Sequence, residues 1–400
     1  MTRKEIALLI ILSLINFTNI MDFMIMMPMQ EFLEKSFEIS PKQFGFLVSA
    51  YAFSAFAASM TASFFVDLFD RKKTLLIAFS GLITGTLACG LSTSYPMLVA
   101  ARIIAGLFGG LISAQVLSIA GDTFAYEKRG RAMGFLTSGF SLAAIAGVPI
   151  GLFIATKTNW QVPLIGIGIL GILLLPVAYF IIPVMKWHLV SQNENIPTER
   201  NIFALYQSVW KSRNQQLALL MMLTLVFSHF ALIPFIAPYL TKNTGFLLEK
   251  LPLMYFFGGV LSLFTSPLFG KMADKYGKHK IFSGLLILSV VPILLLTNLT
   301  RVPDYQILTV TTLFFIFGGG RFVPAQALIT SVVPPNLRGG FMNLNSSLQQ
   351  LGLGLAAFMG GIIISKDITG ELLHYDVIGY ISIFICLVCL LVMRKVRMVG

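Results

Sequence analysis

Four hundred residues that are 56% hydrophobic and only 12% charged, with a mean hydropathy of +0.84, carry more apolar surface than one water-soluble core can bury. A soluble globular domain is excluded, and lipid is the solvent for most of the chain. The net charge of +12 is dispersed over short segments between apolar runs, which argues against nucleic acid and for anionic lipid headgroups as its partner.

Twelve apolar runs follow one another, each long enough for a helix to cross ~30 Å of hydrocarbon. They are continuous, not alternating, which argues for helices that satisfy their own backbone and against a β-barrel. The first, near 6–28, follows Arg3 and Lys4 as a signal peptide would, but no small-residue cleavage site comes after it, and it reads as span 1. Asp22 lies inside it, the one acidic side chain of seventeen placed well within a span. An ionisable group there costs a few kcal/mol and normally faces a cavity or a partner. Asn16 and Asn19 fall within two turns of it; Met21, Met24, Met26, Met27 and Met29 read as flexible apolar filler.

Spans 2 (43–66) and 3 (74–92) flank "FFVDLFDRKK", residues 64–73. Span 4 (97–121) carries Arg102 and Gln115. At 1.5 Å per residue, Asp22 is ~10 Å and Arg102 ~8 Å from the same membrane face, a matching depth that predicts an ion pair. "EKRGRAMG" (127–134), with Arg129 and Arg131, leads into span 5 (131–155), where Gly139, Ala143, Gly147 and Gly151 recur every four residues and Pro149 interrupts the ladder. Span 6 (162–185) ends at the longest polar stretch.

That stretch sets the expected organisation: an N-terminal unit 1–185, a linker 186–213 and a C-terminal unit 214–400. Span 7 (214–240) holds His229, the one histidine of four within a span. Span 8 (250–270) runs into "GKMADKYGKHK" (270–280), and span 9 (281–298) follows. Span 10 (305–332) contains Arg321 and Gln326, span 11 (341–364) Asn345, Gln349, Gln350, Gly352, Ala356 and Gly360, and span 12 (377–393) Cys386 and Cys389. Those two cysteines and Cys89 read as small buried side chains; no metal site is expected.

The halves repeat. Asp67 and Asp274 are 207 residues apart, whereas "EKRGRAMG" matches "NLRGGFMN" (336–343) and "FGG" at 108–110 recurs at 317–319, both at an offset of 209. The offset of 207 makes His229 the counterpart of Asp22. The offset of 209 turns Gly147 and Gly151 into Ala356 and Gly360, with Gly352 one turn before. Spans 5 and 11 are therefore expected to pack across the seam between the halves, beside the bend at Pro149.

The loop "DLFDRKK", "RIIAG" at 102–106, "GVPIG" at 147–151 and the repeated "GKMADKYGKHK" together resemble the signature motifs of the major facilitator superfamily, most closely its twelve-span drug:proton antiporter branch. The likeness runs the length of the chain. In the first loop Ser63, Leu68 and Asp70 depart from the pattern; Gly270, Asp274, Lys275, Gly277 and Lys278 after span 8 follow it, and Ala105 stands where the family often has Gln. The resemblance implies an all-α integral membrane protein, twelve helices in two pseudo-symmetric six-helix bundles, working by alternating access.

Twenty Lys and Arg fall in the segments on the side of the N-terminus and seven on the other, so both termini are expected in the cytoplasm, in the inner membrane. On that face Asp67, with Arg71, is expected to meet the start of span 11 near Arg338, and Asp274, with Gly277 and Lys278, the start of span 5 near Arg129, forming a cytoplasmic gate on helix-end dipoles. Asp22, Arg102 and His229 are the expected proton-coupling groups. Asn16, Asn19, Gln115, Arg321, Gln326, Asn345 and Gln349 are the expected lining of a substrate cavity, Arg321 answering an anionic group. The expected function is a monomeric secondary transporter extruding a small amphipathic compound against proton entry, with the proton gradient in place of a cofactor. A proton-independent carrier or lipid flippase remains open; an intramembrane enzyme would need a nucleophile–base or metal constellation that the spans do not supply.

Overall fold

The computed structural model describes residues 2–62, 69–124, 132–136, 139–185, 202–333 and 338–397. Among them eleven helical stretches are long and apolar enough to cross a membrane, and a shorter apolar helix, Ala143–Lys157, stands at span 5. Pro149 has no N–H and its ring displaces a carbonyl, and the chain absorbs this as a π-helical turn at Ala143–Gly147, closed by the Val148 N–H on the Ala143 carbonyl.

Span 1 is a helix, α1 (Arg3–Met26), started by a reciprocal capping box between Thr2 and Glu5. Pro28 forces a single 3₁₀ turn, Met27–Met29, and the chain continues as the amphipathic α2 (Gln30–Phe37). Span 2 is Pro41–Ala62, span 3 Arg71–Gly90, span 4 Tyr95–Thr123 and span 6 Gln161–Ile181. Asp70, a departure from the family pattern, caps span 3: its Oδ1 accepts from the N–H of Lys72 (2.9 Å) and of Met185 (3.3 Å). After a helix at Ile202–Lys211, span 7 bends between Arg213–Phe230 and Ile233–Asn243, ahead of Pro234. Span 8 is Leu251–Tyr276. Span 9 breaks at Ser289 between Lys278–Leu288 and Val290–Thr297, and span 10 at Arg321 between Asp304–Gly320 and Phe322–Thr330. Span 11 is Arg338–Ile363 and span 12 Tyr375–Met393; the antiparallel pair β1 (Ser365–Lys366) and β2 (Leu372–Leu373) joins them. In its turn, the Thr369 hydroxyl and nearby amides hold the Asp367 carboxyl below the usual carboxylate range.

Span 3 packs on spans 4 and 6, and span 7 on spans 11 and 12. Across the seam span 2 lies along span 11, and span 8 along span 5. The face bearing α2 and the β-pair (the hairpin face) is tightly closed. A Cβ on Gly45 would lie 2.7 Å from the Ala357 carbonyl oxygen and the Gly361 Cα. Ion pairs also cross there: Glu31 with Lys242 (3.4 Å), Glu34 with Lys366, and Lys157 with Glu249 (3.7 Å). Among the described residues every ion pair between the halves is on this face.

The small-residue stripes are corrected by this packing. A Cβ on Gly147 would meet Met21 and one on Gly151 Ile25, both in span 1 of the same half; likewise Gly352 faces Leu223 and Gly360 faces Phe235 and Ala231, all in span 7, with Ala356 buried between them. The seam is made by a different face of span 11: Gly354 against Phe53, and Gly361, seven residues on, against Gly45. On span 5 the contact is Ala144 and Ile145 against Gly259. Close helix approach is needed inside each bundle as much as between bundles, and four-residue spacing marks it without naming the neighbour.

Candidate functional site

Asp22 and Arg102 meet as the depth argument requires. Arg102 Nη1 donates to Asp22 Oδ2 at 2.9 Å and to the Asp22 carbonyl at 3.3 Å, with the aspartate 0% and the arginine 1% exposed. Thr86 Oγ1 of span 3 is 2.8 Å from Asp22 Oδ1 and 2.9 Å from the Leu82 carbonyl. One hydroxyl proton serves one acceptor at a time. With Asp22 ionised the hydroxyl donates to it; with Asp22 protonated the acid donates to the hydroxyl, which turns to Leu82. Both protonation states have a partner without backbone movement. The guanidinium lies over the Tyr51 ring of span 2, 4.3 Å from its centroid, a cation–π contact in a desolvated site.

Tyr51 leads to the amides. Its hydroxyl donates to Asn19 Oδ1 (3.3 Å), Asn19 Nδ2 to Ser113 Oγ (3.4 Å), Ser113 to Asn16 Oδ1 (3.1 Å), and Asn16 Nδ2 to the Leu136 carbonyl (3.2 Å). Asn16 and Asn19 thus belong to one network with the ion pair. Gly109 makes room for it: a Cβ there would lie 2.4 Å from the Tyr51 hydroxyl. Gln115, Asn345 and Gln349 do not join it. Gln115 is buried with its Oε1 unpartnered, Asn345 is fully buried with neither amide atom paired, Gln349 is half-buried, and Gln326 is exposed.

In the second half the counterpart positions hold different chemistry. His229 sits in a box of rings: stacked on Phe314 (5.2 Å between centroids, 20°) and edge-on to Phe230 and Phe322. Gly318, equivalent to Gly109, faces the imidazole. Asp22 is not its neighbour. Arg321, expected to line the cavity, is instead 0% exposed inside the C-terminal bundle, donating to Ser289 (3.1 Å), Cys386 (3.0 Å) and Ser228 (3.2 Å), all neutral. Through Ser289 it meets the break of span 9.

Of the expected gate, Asp67 and Arg129 lie outside the described residues. Arg71 opens span 3 and its Nε pairs with Asp122 Oδ2 (2.9 Å), a contact within one bundle. Asp274 is exposed near the end of span 8. Gly277, at φ 98°, makes the turn into span 9, which Lys278 begins; Arg338 is the first residue of span 11. The residues that sequence reasoning missed are Tyr51, Thr86, Ser113, Phe23 and Phe230. The sequence carried no distinguishing signal at Tyr51, which stands among other rings, Phe53 and Phe56, in the same span.

The fold agrees with what the chain is similar to. D-xylose–proton symporter and the partially occluded, inward-open xylose transporter XylE from E. coli each superpose with a TM-score of 0.76, covering 96% and 100% of this chain and 97% and 99% of theirs, at 16% and 14% identity. In sequence the chain is 24% identical over 297 residues to the uncharacterized MFS-type transporter YbcL of Bacillus subtilis strain 168 (74% of this chain, 73% of YbcL). It is 26% identical over 360 residues to a probable sugar efflux transporter of Helicobacter pylori strain P12 (88% of this chain, 85% of that protein). The family model described as Major Facilitator Superfamily matches residues 12–265 and again 218–398. The chain is a multi-pass membrane transporter, not an enzyme, and it belongs to the Major Facilitator Superfamily.

Proposed function

We propose that this transporter exports a small amphipathic compound in exchange for a proton, with Asp22 as the proton-binding group. The observation that carries the reading is the fully buried Asp22–Arg102 pair with Thr86 able to partner either protonation state. A carboxylate paired in one conformation and parted from its guanidinium in another changes proton affinity between them, which couples proton movement to the conformational cycle. The Asn16–Ser113–Asn19 network reaches Tyr51, whose ring leads to those of Phe23 and Phe230, so hydrogen-bonding groups stand beside apolar plates, which suits an amphipathic ligand. Positive charge concentrated on the face with the termini favours an inner-membrane protein with both ends in the cytoplasm.

Sugar export is a second reading, favoured by the amide–hydroxyl network and by the probable sugar efflux transporters among the relatives. Reconstituted protein distinguishes the two. Thermal stabilisation by tetraphenylphosphonium and not by D-xylose supports the amphipathic ligand, and the reverse supports the sugar. In proteoliposomes under an imposed pH gradient, Asp22→Asn is expected to remain folded and lose gradient-driven accumulation; unchanged accumulation refutes proton coupling through Asp22.

A further inference from the structure

Asp22 and Phe23 are neighbours on one helix, ~100° apart, so one turns into its own bundle and the next to the seam. Asp22 is fully buried and Phe23 partly so. His229 and Phe230, 207 residues later, repeat this arrangement, and the two phenylalanines face each other across the seam with centroids 6.4 Å apart. The Phe23 ring is also 5.4 Å from Tyr51, the ring on which the Arg102 guanidinium rests. A continuous series of contacts therefore runs from the ion pair through Tyr51 and Phe23 to Phe230 in the other half, and ends at the ring box of His229. Ala52, Val226 and Leu353 pack around Phe23, Phe230 and Phe322 at the crossing.

We propose that Tyr51 and Phe23 are positioning residues that transmit the charge state of Asp22 to Phe230, so that proton binding at Asp22 reorders the aromatic contact sealing the mid-membrane seam. The proposal rests on the reading of Asp22 as the titrating group. The chemistry is direct. With Asp22 ionised, Arg102 is shared between the carboxylate and the Tyr51 ring. A proton on Asp22 cancels the ion pair and leaves the guanidinium to the Asp22 carbonyl and the ring face, so that it shifts relative to Tyr51. Tyr51 is tethered at its far end by Asn19, so its ring answers by tilting against Phe23. Dense packing passes that tilt on, because neighbouring rings have a few discrete arrangements rather than a continuum. The other titratable and charged groups facing Asp22 are Arg102 of span 4, Cys89 of span 3 and Tyr51 itself; Phe230 is faced by His229.

The test reads the seam without substrate or gradient. 4-Trifluoromethylphenylalanine is incorporated at position 230 of the full-length protein in detergent, and its fluorine resonance is followed from pH 5 to 9. A titrating shift is expected, abolished by Asp22→Asn, abolished by Tyr51→Leu and by Phe23→Leu, and retained in Tyr51→Phe, which keeps the ring and loses only the hydroxyl. A shift that disappears in Asp22→Asn but persists at its original midpoint and amplitude in Tyr51→Leu and Phe23→Leu overturns the aromatic bridge while leaving Asp22 as the proton site. A shift that survives Asp22→Asn comes from another group, such as His229 beside Phe230, and overturns the proposal. No shift in the unmutated protein also overturns the bridge. If Tyr51→Leu fails to fold, Phe23→Leu, on a different helix, decides alone.

Discussion

At Asp22 and Arg321 the same problem, a charge inside a span, has two solutions. Asp22 is answered by an opposite charge; Arg321 is answered by two hydroxyls and a thiol. The difference predicts different costs of removal. Arg102→Ala leaves a buried carboxylate unpaired and is expected to cost about 3–5 kcal/mol, whereas Asp22→Asn with Arg102→Gln is expected to cost less than the sum of the singles. Arg321→Met strands nothing, since Ser228 and Ser289 already donate to the Leu225 and Leu286 carbonyls (2.9 and 2.7 Å), and its effect is expected within about 1.5 kcal/mol. Melting of the purified variants in detergent checks the order; additive losses for Asp22 and Arg102 would show two independent residues. The ion pair was legible because charges are conspicuous in apolar sequence and 1.5 Å per residue converts position to depth. Tyr51 and Phe23 were not, because an aromatic ring in a hydrophobic span looks the same whether it fills a core or relays a contact. Arg321 was misplaced for a related reason: depth can be read from a sequence, but the direction a side chain takes around the helix depends on which neighbours it finds.

Among the elements, spans 5 and 11 show how far spacing reaches. Their glycines correctly marked close approach, yet Gly147 and Gly352 look inward to spans 1 and 7, and Gly354 and Gly361 make the seam. A helix can carry small residues on two faces, and a four-residue period does not say which face meets which partner. The bend at Pro149 was readable from its missing N–H; its form, a π-turn over Ala143–Gly147, was not, because the ladder can be repaired in several ways. The corrected assignment makes a contrast. Gly45→Leu would drive its side chain into span 11 backbone and is expected to disfavour the closed hairpin face by ~1–3 kcal/mol, a roughly 5- to 150-fold change in its population. Gly147→Ala meets the flexible Met21 side chain within one bundle and is expected to lower stability while leaving that population within about twofold. Spin-label distances between α2 and the β-pair measure both. Equal populations in Gly45→Leu and the parent would show that the seam yields at no cost.

For the whole molecule, the closed hairpin face depends on pairs whose exposure differs. Glu31 and Glu34 are 10% and 9% exposed at their side chains, whereas Lys157 and Glu249 are 58% and 74% exposed. Exposed pairs contribute ~0.2–1 kcal/mol and are screened by salt. Glu34→Gln is therefore expected to open this face several-fold, and Glu249→Gln by less than about twofold, by the same distances; the reverse order would show that burial does not set their strength. The repeat and the twelve apolar runs were legible from offsets and length alone, but which face stands closed was not, since one sequence must serve both ends of the cycle. One further consequence follows from Asp22 being the only buried carboxylate away from the membrane faces among the described residues, Glu31 and Asp70 lying at helix ends. Under the proposed proton exchange through Asp22, a single site admits a single proton, and this would fix the electrical sign of each turn. Exchanging one proton for a neutral compound carries one net charge across the bilayer, worth ~2.3 kcal/mol per 100 mV; exchanging it for a monocation carries none. A potassium diffusion potential set with valinomycin at equal pH should therefore drive accumulation of a neutral substrate and leave a monocation unmoved, so that voltage alone reports the charge of whatever this protein carries.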